Sequence, residues 1–299
     1  MWIWTAVLSA FLLGIYEVAK KQASYVNDVL HVLLYGTAIG ALFFMPLILS
    51  SIFGWGLADG TVLEMQKGTL SDHLLIIGKS LIVTVSWILG IFALKNLPIT
   101  TVGPIKASRP VFILLGSMLI FGERLNLWQW VGVVISMAAL YLLSRSSKSE
   151  GVDFAKNKWI YCMFGSVFSG VISALIDKYI MTWMQPIFVQ SWCNLYITLM
   201  MAAIVLISRI SDSKVYEKFR WDWNILLIAV FLTASDFLYF FALTDSNAMI
   251  SVISLLRRCS VIVTFIAGAI FFHEGNLKKK AIDLFLLLVG AAILVLASS

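Results

Sequence analysis

The sequence predicts an all-α membrane protein, with ten transmembrane helices arranged as two inverted repeats of five. Hydrophobic residues make up 61% of the 299 residues and charged residues only 13%, whereas about 25% of the residues in soluble domains are charged. Apolar windows of about 20 residues, the length that crosses a hydrocarbon core as a helix, can be placed ten times. Short matches also recur in the same order in both halves of the chain.

The ten apolar windows leave little chain outside the membrane. Only helices and closed barrels satisfy their backbone groups in lipid, and windows this long and uniformly apolar indicate helices. The longest predicted loops are 53–72, 145–157 and 209–222. In chain order, we place the spans near 2–20, 29–52, 73–94, 98–121, 126–144, 158–180, 187–208, 223–243, 248–272 and 277–297.

Internal matches divide the chain into repeats at 1–150 and 151–299. Five spans per repeat is an odd number, so the second repeat enters the membrane upside down relative to the first. Secondary transporters use this plan and bind substrate near the midplane between the repeats. The matching segments are Trp2-Ile3-Trp4 with Trp159-Ile160-Tyr161, Phe92-Ala93-Leu94 with Phe241-Ala242-Leu243, and Phe121-Gly122-Glu123 with Phe272-His273-Glu274.

Loop charge predicts the orientation. Fourteen of the 22 lysines and arginines fall on loops that follow odd-numbered spans, three fall on the other loops, and five lie inside spans. By the positive-inside rule, the first set of loops faces the cytoplasm and both termini lie outside. The net charge of +6 is therefore an orientation signal, and it requires no nucleic-acid partner.

The motif around span five resembles a known family. Phe121-Gly122-Glu123-Arg124-Leu125, followed by Trp130-Val131-Gly132-Val133, is similar to the end of an EamA repeat in the drug/metabolite transporter superfamily. This resemblance extends over nearly the whole chain. It implies ten helices, alternating access and movement of a small metabolite.

A narrower resemblance concerns spans four and nine. The segment from Ile105 to Phe112 resembles the lysine-containing segment of the triose-phosphate translocator branch, and Arg257-Arg258 resembles that branch's adjacent lysine and arginine. The resemblance implies phosphate binding by these basic residues. Arg109 stands where that branch has an acidic residue.

Four basic residues lie in the middle of apolar spans: Lys106, Arg109, Arg257 and Arg258. A charge at the centre of a membrane helix costs ~2.5–3.5 kcal/mol on insertion scales, so such residues indicate a function or a buried partner. Aligning the halves on Glu123 and Glu274 superposes Lys106 on Arg257. We expect a buried anion site here, joined by Ser254, with a bend in span four at its prolines. A structural network of ion pairs is the alternative.

Further site candidates are less central in the spans. Lys79 either reaches the site or extends to the membrane interface, and Trp87, Trp192 and Tyr239 either line a cavity or pack between helices. Three acids, Asp236, Glu17 and Asp177, either carry a coupling proton or pair with the cations. Asp236 is predicted to be the one well-buried acid that faces four or five cations.

These patterns predict a secondary active transporter of the inner or plasma membrane, working by alternating access on an organic anion or phosphorylated metabolite. The alternative is an exporter of amino acids or other neutral and zwitterionic metabolites. No catalytic residue, metal site or cofactor is predicted, because glycine-rich phosphate loops, serine elbows and metal-ligand spacings are absent from the sequence. The expected partners are a small-molecule substrate and the lipid bilayer, and a homodimer is one assembly we consider.

Overall fold

Ten helices form the described part of the chain in a computed structural model. The structure describes residues 2–61, 63–65, 67–109, 111–113, 115–116, 126–148, 154–180, 183–211, 220–243, 256–257, 259–272 and 277–297. These residues contain no strand, which confirms the prediction of an all-helical chain. The helices are α1 (Trp2–Val26), α2 (Val29–Phe53), α3 (Leu70–Asn96), α4 (Ile99–Ala107), α5 (Leu127–Lys148), α6 (Lys158–Ile180), α7 (Pro186–Ser211), α8 (Trp223–Leu243), α9 (Ser260–Ile270) and α10 (Leu277–Leu296).

Five of the helices within the described residues are long and apolar enough to cross a membrane. Predicted spans four and nine are described only in part, as the short helices α4 and α9. The complete set of ten crossings therefore stays a prediction. The five qualifying segments are Ile3–Tyr25, Val29–Phe53, Leu70–Asn96, Lys158–Asp177 and Pro186–Ser208.

The outer surface of the bundle is apolar. Phe11, Leu42, Leu81, Val134 and Leu206 are each more than half exposed, although they lie within helices. A soluble domain rarely exposes contiguous apolar area of this extent. The surface is therefore suited to lipid, in agreement with the hydropathy of the sequence.

Side-chain caps fix the starts of α2 and α3. Asp28 accepts hydrogen bonds from the backbone N–H groups of Leu30 and His31. Thr69 and Asp72 form a reciprocal capping box at the start of α3. Because the first N–H groups of a helix have no intrahelical partner, these caps determine where each helix begins after its connecting turn.

The two halves pack against each other in a symmetric pattern. Helices α1 and α3 of the first half pack on α8 and α6 of the second half, respectively. Each of these contacts joins the first helix of one half to the third helix of the other. The second helices (α2 with α7), the fourth (α4 with α9) and the fifth (α5 with α10) pair directly. An approximate two-fold relation between the halves produces this pattern.

Reciprocal serine contacts mark the two equivalent interfaces. Ser9 on α1 and Ser235 on α8 each donate a hydroxyl hydrogen bond to the other's carbonyl, at 2.7 and 2.8 Å. Ser86 on α3 and Ser166 on α6 do the same, at 2.7 and 2.6 Å. Ser166 lies 157 residues after Ser9, the offset that also relates Trp2 to Trp159. Each hydroxyl group thus donates to a backbone carbonyl of the partner helix, where the two backbones approach closely.

Helical structure is interrupted at equivalent points in the fourth helix of each half. After α4, the Ser108 N–H is shared between the Pro104 carbonyl at 3.2 Å and the Ile105 carbonyl at 3.3 Å. Before α9, the Cys259 N–H bonds back to the Leu256 carbonyl at 3.0 Å. The bonds to Ile105 and Leu256 each span three residues, a spacing that marks a tightened turn. The basic residues Arg109 and Arg257 lie next to these turns. Pro110, one of the prolines predicted to bend span four, lies outside the described residues.

Candidate functional site

A cavity of about 280 Å³ lies between the two halves. Helices α1, α3, α4, α6, α7 and α8 contribute to its wall, together with the turn that precedes α9. Five cations and three acids are among the lining residues. The cations are Lys20, Lys79, Lys106, Arg109 and Arg257, and the acids are Glu17, Asp177 and Asp236.

Glu17 bridges two lysines. Its Oε2 lies 2.6 Å from Lys106 Nζ on α4, and its Oε1 lies 3.1 Å from Lys20 Nζ on the next turn of α1. Residues three apart share a helix face, so Lys20 reaches both Glu17 and the Tyr16 hydroxyl, at 2.9 Å. One carboxylate thus serves two ammonium groups, and this cluster holds an excess of one positive charge.

Lys79 and Asp177 join the two halves across the cavity. Lys79 Nζ on α3 lies 3.1 Å from Asp177 Oδ1 on α6. Opposite charges at this distance form an ion pair that links the first half to the second. Lys79 is buried and also contacts Cys193 Sγ at 3.7 Å. It lines the cavity and does not extend to a membrane interface.

Asp236 pairs with Arg257. The guanidinium group donates to Asp236 Oδ1, and its central carbon lies 4.2 Å from the centre of the Tyr239 ring. Guanidinium groups bind favourably to aromatic faces. Arg257 therefore has an anionic and an aromatic partner, although its Nε has no partner among the described residues.

Arg109 differs from the other cavity cations. It follows the turn at the end of α4 and donates a hydrogen bond to the Gly170 carbonyl of α6. No carboxylate in the described part of the chain forms an ion pair with it, and its buried Nε has no partner there. A Cβ at position 170 would lie 2.8 Å from the guanidinium carbon. Glycine therefore allows the close approach.

The charge count corrects one expectation from the sequence. The prediction that Asp236 is the one well-buried acid facing the cations is wrong, because Glu17 and Asp177 line the cavity as well. The physical reason is packing: α1 and α6 turn these acids toward the space between the halves. The described lining residues still carry five cations and three acids.

The remaining predicted residues fall into three groups. Trp87 and Tyr239 line the cavity. Trp192 is not part of its lining and instead packs edge-to-face with His73, with ring centres 4.6 Å apart. Arg258 and Ser254 lie outside the described residues.

Several polar residues of the lining were not predicted from the sequence, among them Lys20, Gln190 and Asn194. Lys20 lies inside α1, which continues beyond the predicted end of span one, and its spacing from Glu17 indicates a shared helix face. Gln190 and Asn194 lie four apart in an apolar span, and the same spacing could have indicated a polar face there. No group of three or more His, Cys, Asp or Glu side chains comes together among the described residues.

An apolar helical bundle in two matched halves, with a charged cavity between them, is the architecture of a multi-pass membrane transporter. A family model described as the EamA-like transporter family matches residues 1–145 and 157–296. The chain belongs to this family, whose members are transporters of small molecules rather than enzymes. The resemblance of the sequence to EamA repeats is thereby confirmed.

Other comparisons add the fold alone. One solved crystal structure aligns with 98% of this chain and 94% of its own, at a TM-score of 0.60 and 18% sequence identity. No curated protein matches the sequence. The similarity to the triose-phosphate branch is not confirmed by these comparisons and stays a prediction.

Proposed function

We propose that this chain moves a small organic anion, including phosphorylated metabolites, across the inner or plasma membrane by alternating access. The observation that carries the proposal is Arg109, a cavity cation that has no acid partner among the described residues. A buried charge without a counter-ion is costly. An anionic substrate provides that counter-ion when it binds.

The rest of the lining supports the same charge preference. Glu17 is shared between Lys20 and Lys106, so two cations of the lining face one carboxylate. Guanidinium groups bind carboxylate and phosphate at two points, because their N–H groups match the spacing of two oxygens. Arg109 is therefore the residue that orients the anion, and the lysines add charge around it.

Alternating access is supported by the symmetry of the fold. The cavity lies between halves that make equivalent contacts through α1 with α8 and α3 with α6. The Lys79 to Asp177 contact also crosses between the halves. Rocking of one half against the other would open the cavity to each side in turn, as in other transporters with inverted repeats.

Counterflow in liposomes tests the proposal. Purified protein should exchange a labelled organic anion against the unlabelled compound with saturation, whereas a channel should show no saturable exchange. Arg109→Gln should weaken binding of that anion by ~1.5–3 kcal/mol, or roughly 10- to 150-fold, the scale of a hydrogen bond to a charged group. Arg109→Lys should retain part of the affinity because it keeps the charge but not the planar geometry.

Arg220→Gln is the matched control, because Arg220 is exposed and is not among the residues that line the cavity. It removes the same charge and should leave anion affinity unchanged. Normal anion exchange by a folded Arg109→Gln protein would contradict the proposal.

Export of amino acids or other zwitterions is the second candidate. Asp177 favours it, because this carboxylate lines the cavity and can pair with a substrate ammonium group as it pairs with Lys79. A thermal-shift panel of phosphates, carboxylates, amino acids and nucleotides separates the two functions, since a ligand stabilises the folded protein in proportion to its occupancy. Stabilisation by amino acids alone, lost in Asp177→Asn, would favour the zwitterion.

A further inference from the structure

Gln190 is a buried amide without any partner among the described residues. It lies on the second turn of α7, is only 5% exposed and lines the cavity. Its Nε2 donates no hydrogen bond and its Oε1 accepts none. Leaving buried hydrogen-bonding groups unpaired is unfavourable.

The amide belongs to one polar face of α7. Gln190, Cys193, Asn194 and Ile197 all line the cavity, and their spacing of three and four residues puts them on one side of a helix. Cys193 contacts Lys79 of α3, and Lys79 contacts Asp177 of α6. Gln190 is therefore at the end of the cavity where α3, α6 and α7 meet.

Arg109 binds elsewhere along the same wall. Its guanidinium donates to the carbonyl of Gly170, which precedes Asp177 by seven residues on α6. Seven residues of α-helix rise about 10 Å. The backbone contact of Arg109 on α6 therefore lies about two turns before Asp177, and Gln190 lies on the Asp177 side of the cavity.

We infer that Gln190 is a specificity-determining residue that recognises an uncharged hydroxyl or amide group at the far end of the transported anion. This inference rests on the proposed function, because it assumes that Arg109 holds the anionic end. An amide side chain has an NH₂ group that donates and a carbonyl oxygen that accepts, and hydroxyl and amide groups can pair with both. A purely alkyl substituent leaves the amide unpaired.

Matched pairs of anions test the inference in the full-length protein. One pair is 6-hydroxyhexyl phosphate and hexyl phosphate, and the other is adipic acid monoamide and heptanoate. In each pair, only the first compound carries hydrogen-bonding groups at the end remote from the anion. Affinity is measured by inhibition of counterflow and by thermal shift. The wild-type protein should prefer the first member by about tenfold or more, because a site built for hydrogen bonding rejects an analogue that leaves it unpaired.

Gln190→Met keeps the length of the side chain and removes both hydrogen-bonding groups. It should abolish the preference within each pair while retaining affinity for the alkyl member. The ligand-free variant should be at least as stable as the wild type, because an unpaired buried amide is removed. Loss of stability in the ligand-free variant would show that the amide is held by the protein, and would overturn the inference.

Arg109→Gln separates this inference from the proposed function. It should weaken both members of each pair equally and preserve the ratio between them. If the anions bind through Arg109 but Gln190→Met leaves the ratio unchanged, the role of Gln190 is wrong and the anion site stands. If no anion in either pair binds, both proposals fail.

Discussion

At the scale of single residues, the cavity is defined by which charges find partners. Asp236 pairs with Arg257, Asp177 with Lys79, and Glu17 with two lysines. Ion pairs of the kind that the structural alternative predicts are therefore present in the cavity. Arg109 forms no ion pair with an acid in the described part of the chain, which is why the proposed anion site is centred there.

The pair of Asp236 and Arg257 leads to the first prediction. Asp236→Asn removes one partner and strands a buried charge, at a cost of ~3–5 kcal/mol. We expect less folded protein in detergent, measured by size-exclusion and thermal unfolding, and recovery in the double variant Asp236→Asn with Arg257→Gln. A stable Asp236→Asn protein that exchanges substrate but lacks proton-driven uptake would instead identify Asp236 as the proton carrier.

Gly170 leads to a second prediction at this scale. In Gly170→Ala, the added methyl would lie 2.8 Å from the Arg109 guanidinium carbon, so that side chain must move from its position. Anion affinity should fall by about tenfold. Gly78→Ala is the control, because a Cβ there meets nothing within 4 Å, and alanine favours the helix by about 1 kcal/mol. Equal affinities in the two variants would contradict the placement of Arg109.

At the scale of elements, the bundle is organised by cross-half helix pairs. The reciprocal serine contacts place hydroxyl oxygens 3.1 Å apart between α1 and α8, and 3.4 Å apart between α3 and α6. A disulfide requires an S–S distance of about 2.05 Å, so cysteine side chains at these positions would have to approach by a further ~1 Å to be bonded. If the halves rock during transport, these two interfaces are the ones that must move relative to each other.

Cysteine cross-linking tests this at equivalent sites. In a background without Cys162, Cys193 and Cys259, the pairs Ser9→Cys with Ser235→Cys and Ser86→Cys with Ser166→Cys should both form disulfides on oxidation. Counterflow should stop when either bond forms and return on reduction. The four single variants are controls and should be insensitive to oxidant. Full activity in a fully cross-linked protein would show that the interface is static.

At the scale of the whole molecule, orientation in the membrane is the open prediction from loop charge. Ala155→Cys, in the turn between α5 and α6, should react with an impermeant thiol reagent only from the cytoplasmic side. Lys67→Cys, in the connection between α2 and α3, should react only from outside. Both positions are exposed. The reverse result would invert the topology, and labelling of both from one side would contradict the number of spans.

The sequence alone determined the membrane setting, the helical class and the division into two halves. Hydropathy and helix length are local properties, so lipid imposes them segment by segment. The offset matches likewise predicted that Lys106 and Arg257 are equivalent, and both line the cavity at interrupted helices. Family membership followed from the same repeated pattern.

Only the tertiary structure decided which residues meet. Glu17, Asp177 and Gln190 face the cavity because of how α1, α6 and α7 are rotated when the halves pack, and rotation depends on contacts far apart in sequence. Trp192 has a similar sequence setting to Trp87 but packs against His73. The partner of each charge is a property of that packing, because ion pairs join helices that hydropathy treats separately. The same packing leaves Arg109 without an ion-paired acid among the described residues.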